Sequence, residues 1–422
     1  MLSLQSREML VPLPSEICSF RMEAFYKTHS YLLSHTHAPV RRTLMNEVDW
    51  NDRLIGIKGT RGVGKTTFLI QYAQEYRAGD PSCLYINMNN FYFQGRSLVD
   101  FAEEFVRRGG RTLLVDQVFK ISDWSEQLRA CYERFPKLQI VFTGSSVMRL
   151  KEQNPVLNGI VKSYNLRGFS FREYLSLVTG QEFRIYSLED ILLDHERVVR
   201  DVLPFANPMD HFQDYLHHGF YPFFMENRNF AENLLKTMNM MMEVDILLIQ
   251  QIELGYLSRL KKLLYLLVVD GPGRPNVSQL AERIEMSRAT VMNYIKYLAD
   301  ARLVNLIYRE GEEFPKKPAR VLLHNPNLAY SIYPVKAEEE DVLEMFIVNS
   351  LWKDHRVNIP SGGGDGLLVD GTYTLRVCGD GTSAPAKASA RGKGGDTAVY
   401  YVSKRPSNRT STIPAWLFGF LY

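Results

Sequence analysis

The nine residues GTRGVGKTT at positions 59–67, entered from the apolar run LIGIKG, constrain what this chain can fold into more than any other stretch. Gly59, Gly64, Lys65 and Thr66 satisfy the spacing G-x-x-x-x-G-K-[ST], which makes structural sense only with a strand before it and a helix after it. Gly59, Gly62 and Gly64 let backbone N–H groups turn inward around an anion, and the N-terminus of the following helix adds partial positive charge. Lys65 brings a full charge toward the β and γ phosphates, and the Thr66 hydroxyl is a natural Mg²⁺ ligand. Gly59, Thr60, Arg61, Gly62, Val63, Gly64, Lys65, Thr66 and Thr67 are therefore expected to cradle ATP. Thr67 either starts the helix or touches the α phosphate.

Short apolar runs then alternate with helical stretches: CLYINM, SLVDFAEEFVRR, TLLVD, WSEQLRACYERF, IVFTGSS and KSYNL. That alternation predicts successive strand–helix–strand units, hence an α/β fold with a parallel sheet covered on both faces. Ligands in such folds sit beyond the carboxyl ends of the strands. TLLVD places Asp116 at one such end, where it either holds Mg²⁺ through water or simply forms a turn; the upstream phosphate loop favours the metal. IVFTGSS places Thr143, Ser145 and Ser146 at another. There a hydroxyl positions the attacking water or senses the γ phosphate, with a local turn as the competing reading. Asp116, Gln117 and Ser145 are the candidate catalytic residues, Gln117 standing where a hydrolytic enzyme of this kind shows an acid.

A length of 422 residues calls for several domains, and a net charge of +3 is too small to announce a nucleic-acid partner. Cys18, Cys83, Cys131 and Cys378 lie far apart, which suggests structural thiols in a reducing cytoplasm rather than a zinc site or disulfides. The opening MLSLQSREMLVPLPSEICSF is too interrupted for a signal peptide, and no run approaches the length of a membrane span.

Five segments are expected: a helical lead-in (1–46), the P-loop core (47–175), a helical domain (176–270), a winged helix (271–335) and a small α+β end (336–422). In the helical domain MNMMM reads as core, and His217 and His218 lack partners at metal-binding spacing. VSQLAERI, EMS, RATVMNYIKYLADA and LVNLIYR follow the order helix, turn, helix, β-wing, with Ser278 and Ser287 as N-caps. Arg288, Thr290, Asn293 and Lys296 would line the exposed face of its second helix. Such a module serves either DNA reading or packing and oligomerisation. Residues 338–356 read as an amphipathic helix and GLLVDGTYTLRVCG as a hairpin turning at Asp370 and Gly371. From Gly379 to Thr412 the composition looks too poor in apolar residues to fold tightly, whereas IPAWLFGFLY should dock on the preceding sheet.

Taken in order, the phosphate loop, TLLVD and IVFTGSS, followed by NLRGFSFREYL, the winged-helix segment, LHNPNLAYSI and IPAWLFGFLY, resemble a group of bacterial AAA-family ATPases. The C-terminal domain of that group, of unknown function, is related to PD-(D/E)xK nucleases. The resemblance covers nearly the whole chain, closest over 47–175 and weakest over 356–412. It implies an AAA-type ATP-binding fold, Mg²⁺, a helical and winged-helix middle and a nuclease-like end. Three departures stand out. The group reads Asp-Glu where this chain has Asp116-Gln117, so hydrolysis should be weak or absent. Ile160 replaces a basic residue, an arginine finger, for which Arg149 and Arg167 are substitutes. At the nuclease-like end Asp365 and Glu344 fit two acidic positions, but Arg376 and Cys378 stand where an acid and a lysine are needed, so nuclease activity is not expected. ATP is the expected partner, with DNA and self-association left open and no membrane partner.

Overall fold

The computed structural model describes residues 15–148, 154–226, 229–247, 253–271, 273, 275–333, 338–361, 366–379, 398–404 and 412–422. Five parallel strands form the first sheet: β1 (Leu54–Gly59), β2 (Cys83–Asn87), β3 (Thr112–Asp116), β4 (Gln139–Ser145) and β5 (Lys162–Asn165). Their order is β2-β3-β4-β1-β5. The strands are apolar almost throughout because both sheet faces are covered, yet alternate residues still part to opposite sides. Leu54, Leu84, Leu113 and Ile140 join a core with Met22, Phe25, Phe101, Phe105 and Leu128, beneath the helices Ser15–His35, Leu98–Arg107 and Trp124–Arg134. Ile55, Ile57, Tyr85, Leu114 and Val141 face the other way, onto the helix Lys65–Tyr76 and a core continuous with the rest of the chain.

The middle of the chain is helical, as composition suggests. Met238, Met241 and Met242 are buried in it, whereas Met240 is exposed. The helix Phe230–Met240 widens into a π-helical turn at Met241–Ile246. The helices Leu257–Val269, Val277–Ile284 and Arg288–Asp300 lead into the antiparallel pair β6 (Val304–Ile307) and β7 (Arg320–Leu323). Ser287 caps its helix by accepting from Thr290 N at 3.1 Å. Ser278 does not cap: Asn276 does so by accepting from Gln279 N, one residue before the helix begins, so Ser278 falls inside the first turn.

A second sheet has the order β12-β11-β10-β9-β8, from β8 (Val357–Asn358), β9 (Leu367–Val369), β10 (Tyr373–Cys378), β11 (Ala398–Ser403) and β12 (Thr412–Pro414). The β9–β10 hairpin turns at Asp370 and Gly371, both at positive φ (51° and 68°). Two expectations fail here. The helix Glu339–Leu351 is not amphipathic: every residue from Val342 to Leu351 is buried, because β10, the helix Pro326–Ile332 and the C-terminal tail enclose it. Within the stretch expected not to fold tightly, β11 pairs in parallel with β10 and buries Val402 and Ser403; residues 380–397 and 405–411 lie outside the described residues. The tail docks further than expected. Beyond β12, Phe420 O accepts from Tyr186 N at 3.0 Å and Tyr422 O from Arg172 Nε at 3.0 Å, which ties it to the helix Phe171–Thr179.

Candidate nucleotide-binding site

β1 runs into a loop that glycine alone permits. A side chain at Gly59 would bring its Cβ within 2.4 Å of the Leu166 carbonyl oxygen, and Gly62 and Gly64 hold φ of 81° and 90°. Gly64 is the N-cap of the helix Lys65–Tyr76, so the loop's N–H groups and the helix end face the same space. Lys65 Nζ donates to the carbonyls of Gly59 at 2.9 Å and Thr60 at 2.6 Å, folding the ammonium back onto its own loop. Burial lowers its pKa to about 8; Asp245 and Asp116 pull it upward and Arg61 adds to the lowering.

The sheet order explains the next contacts. β4 lies between β1 and β3, so its carboxyl end stands between the phosphate loop and Asp116. Asp116 is 1% exposed and accepts from Thr66 Oγ1 at 2.7 Å, from Tyr85 OH at 2.8 Å and from the Thr143 hydroxyl. Thr143 Oγ1 in turn accepts from the backbone N–H of Gln117 at 2.8 Å. Gln117 adopts the left-handed conformation (φ 57°, ψ 45°), which is strained for a residue with a side chain and turns the chain sharply at the strand tip.

Beside them opens a cavity of about 570 Å³. Arg61 to Thr67, Asp116, Gln117 and Ser145 form its floor, Ala38, Pro39, Val40 and Phe169 contribute an apolar wall, and Pro222, Phe223 and Met225 form a lid. The lid is close: a Cβ on Gly62 would lie 2.8 Å from the Phe223 ring. Asp245, from the π-helical turn, also reaches the cavity. Its carboxylate takes Arg61 Nε at 3.1 Å on both oxygens and Arg61 Nη2 at 2.8 Å. Burial raises the Asp245 carboxyl above its ordinary range, with Arg61, Lys65 and Ser145 drawing it back.

Several sequence candidates stand elsewhere. Gly59, Thr60, Thr143 and Ser146 do not line the cavity: the carbonyls of Gly59 and Thr60 hold the Lys65 ammonium, and the Thr143 hydroxyl holds Asp116. Arg167 is turned away from the cavity: its guanidinium donates to the Asn349 carbonyl at 2.5 Å and stacks over Tyr422. Arg149 and Asp365 lie outside the described residues. Glu344 is buried against Arg320, 2.5 Å away, while Arg376 is exposed on β10. His217 stacks on Tyr330 at 3.8 Å, and His218 lies among Tyr174, Phe224 and Phe230. No cluster of three His, Cys, Asp or Glu suited to a metal occurs among the described residues, and no helix among them is long and apolar enough to cross a membrane. Sequence reasoning missed the 38–40 wall, the lid and Asp245. The signal for Asp245 is a single acid inside the apolar run VDILLI.

Residues 51–175 match the family of the AAA domain, and residues 209–322 match a domain of unknown function (DUF8612). An uncharacterized protein of Methanocaldococcus jannaschii is 28% identical over 280 residues, covering 62% of this chain; the chain spans 58% of that relative's length. Among solved structures, PCH-2 of C. elegans is 17% identical (39% of this chain, 47% of that one, TM-score 0.23). AMPPCP-bound DnaA from Aquifex aeolicus is 12% identical (69% and 90%, TM-score 0.25), and Drosophila ORC bound to DNA is 13% identical (76% and 98%, TM-score 0.26). With the phosphate loop at the end of β1, Asp116 at the end of β3 and β4 between them, the parallel sheet is a P-loop nucleotide-binding fold of AAA type.

Proposed function

We propose that the protein binds ATP with Mg²⁺ in the lidded cavity and uses nucleotide occupancy as a conformational or oligomerisation switch, hydrolysing slowly or not at all. One observation carries this reading: the glycine loop, Lys65, Thr66 and Asp116 converge on a single cavity whose lid belongs to the helical middle of the chain. Nucleotide binding and lid position are thereby coupled. The backbone of Gly62 to Lys65 holds phosphate oxygens, and the Lys65 ammonium leaves its carbonyl partners to face them. Thr66 and Asp116, already 2.7 Å apart, are an all-oxygen pair suited to Mg²⁺. That ion would neutralise charge between the β and γ phosphates. Ala38, Pro39, Val40 and Phe169 offer an apolar face to a base. Gln117 can hold a water but takes no proton from it, which is the ground for slow turnover.

The test is nucleotide binding and phosphate release on the same sample, with Lys65→Ala as control. Calorimetry should give saturable ATP binding that the variant loses, because the cradle loses its ammonium. Unchanged affinity in Lys65→Ala would place the site elsewhere.

A second reading, DNA binding through a winged helix at 271–335 under nucleotide control, is favoured by the Ser287-capped helix with exposed Arg288 and Asn293. It is weakened by Lys296, which is engaged by Asp300, and by exposed Glu282 and Glu285 nearby. Salt-dependent binding to duplex DNA that loses slope in Arg288→Ala would establish it.

A further inference from the structure

Asp245 is a carboxylate in the wrong surroundings unless it has a task. It is 2% exposed, on a helical turn whose Met241, Met242 and Ile246 are core residues, and a buried charge there is costly without compensation. The π-helical widening at Met241–Ile246 is a local irregularity of the kind that re-aims a side chain, and Asp245 reaches the floor of the cavity. Its compensation comes from the phosphate loop, as three short contacts from Arg61, 184 residues away in sequence. Lys65 is near enough to feel its charge. The helical turn Met241–Ile246 is thus tied to the phosphate loop by an anion on a guanidinium.

A γ phosphate is also an oxyanion, and it would seek the same donors. Two anions cannot share Arg61 and Lys65 in a buried site without strong repulsion. We propose that Asp245 is an internal stand-in for the γ phosphate: its carboxylate latches the helical turn Met241–Ile246 onto Arg61, and the third phosphate of a nucleoside triphosphate displaces it. A diphosphate, which ends short of Arg61, leaves the latch closed. The turn then distinguishes tri- from diphosphate by competition rather than by hydrolysis, which suits a site where Gln117 replaces a carboxylate. This rests on the phosphate-site reading above, and coupling of this kind is reciprocal: whatever ATP must do to open the latch lowers its apparent affinity.

Two measurements on the full chain test it. By calorimetry with Mg²⁺, Asp245→Asn should bind ATP about tenfold more tightly than the parent while ADP affinity changes by less than about threefold. An equal change for both nucleotides, or no change, overturns the latch. Lost phosphate release with unaltered affinities would also overturn it and make Asp245 the carboxylate that serves in place of Gln117. A parent chain that binds neither nucleotide would sink the phosphate-site reading together with the latch, an outcome distinct from binding without discrimination. Because the variant leaves Arg61 without its partner, hydrogen exchange on the unmodified chain gives an independent check. ATP should speed exchange across 241–247 relative to ADP; identical exchange with both excludes a γ-phosphate-driven release.

Discussion

The Thr66 hydroxyl donates to Asp116 Oδ2 at 2.7 Å, joining the first turn after the phosphate loop to the tip of β3. An alcohol and a carboxylate held this way are the two protein oxygens that a cation at the β and γ phosphates would take up. Asp116→Asn keeps an acceptor oxygen for Thr66 and Tyr85 but presents an NH2 to the Thr143 hydroxyl and removes the charge. ATP affinity of the unmodified chain should therefore fall about tenfold or more when Mg²⁺ is chelated, while the variant is insensitive to chelation. Equal Mg²⁺ dependence in the two proteins would remove Asp116 from the metal site.

The Lys65 pKa of about 8, lowered first by burial, makes ATP binding pH-dependent in a stated direction. The ammonium is the form that attracts phosphate, so affinity should be flat below about pH 7 and weaken as pH rises through 8. The limiting slope is about tenfold per unit if the neutral amine does not bind. Lys65→Arg, which stays charged throughout, should flatten the profile even if its affinity is lower. Titrations between pH 6.5 and pH 9.5, ranges of about half a unit apart, are sufficient. A slope that persists in the Arg variant would assign the titration to another group.

How much of this could be read beforehand depends on how far apart the interacting residues are. The phosphate loop is legible because its chemistry sits in nine consecutive residues, and the parallel sheet because its strands are buried on both faces and therefore apolar throughout. Gln117 is legible as a departure from a resemblance. Asp245 is not, since its meaning comes from Arg61, which no local pattern connects to it. The helix Glu339–Leu351 departs from the expected amphipathic pattern for a related reason. Its polar Glu344, Asn349 and Ser350 suggest a wet face, but Arg320 and Arg167 reach in from distant segments to satisfy Glu344 and Asn349. Arg167, a substitute finger by the resemblance, donates to Asn349 in that helix.

Glu173 is a buried carboxylate that stabilises the junction beneath the loop. Arg42 Nε donates to it at 3.2 Å, as do Thr43 N at 3.1 Å and Ser170 N at 3.2 Å. Burial opposes its ionisation, yet Arg42, Arg172 and the backbone donors outweigh burial and hold its pKa below the ordinary value. Glu173→Gln leaves the Arg42 guanidinium buried without its counter-charge, a loss of about 3–5 kcal/mol by analogy with other broken buried pairs. The midpoint of chemical unfolding should drop accordingly. A midpoint unchanged within error would mean that Arg42 is satisfied by the carbonyls of Val63, Arg167 and Gly168, to which it also donates.

Turnover is decided at Gln117. Its backbone is fixed by the N–H donated to Thr143 and by the left-handed turn at the strand tip, so a carboxylate placed there would start from the same position as the amide does. An amide can orient a water but cannot accept its proton, and positioned acid–base help is worth about 10² to 10⁴ in rate. Gln117→Glu should therefore raise steady-state phosphate release by at least about 10² without tightening ATP binding, because the ground-state contacts come from Lys65, Thr66 and Asp116. The isosteric exchange adds a charge near Asp116 and Asp245, so ATP affinity should fall slightly if it moves at all. Phosphate release and ATP affinity measured on both proteins give the comparison. Rapid hydrolysis by the unmodified chain, with no gain in the variant, would mean that catalysis comes from another carboxylate, and Asp245, which lines the same cavity, would be the first to replace.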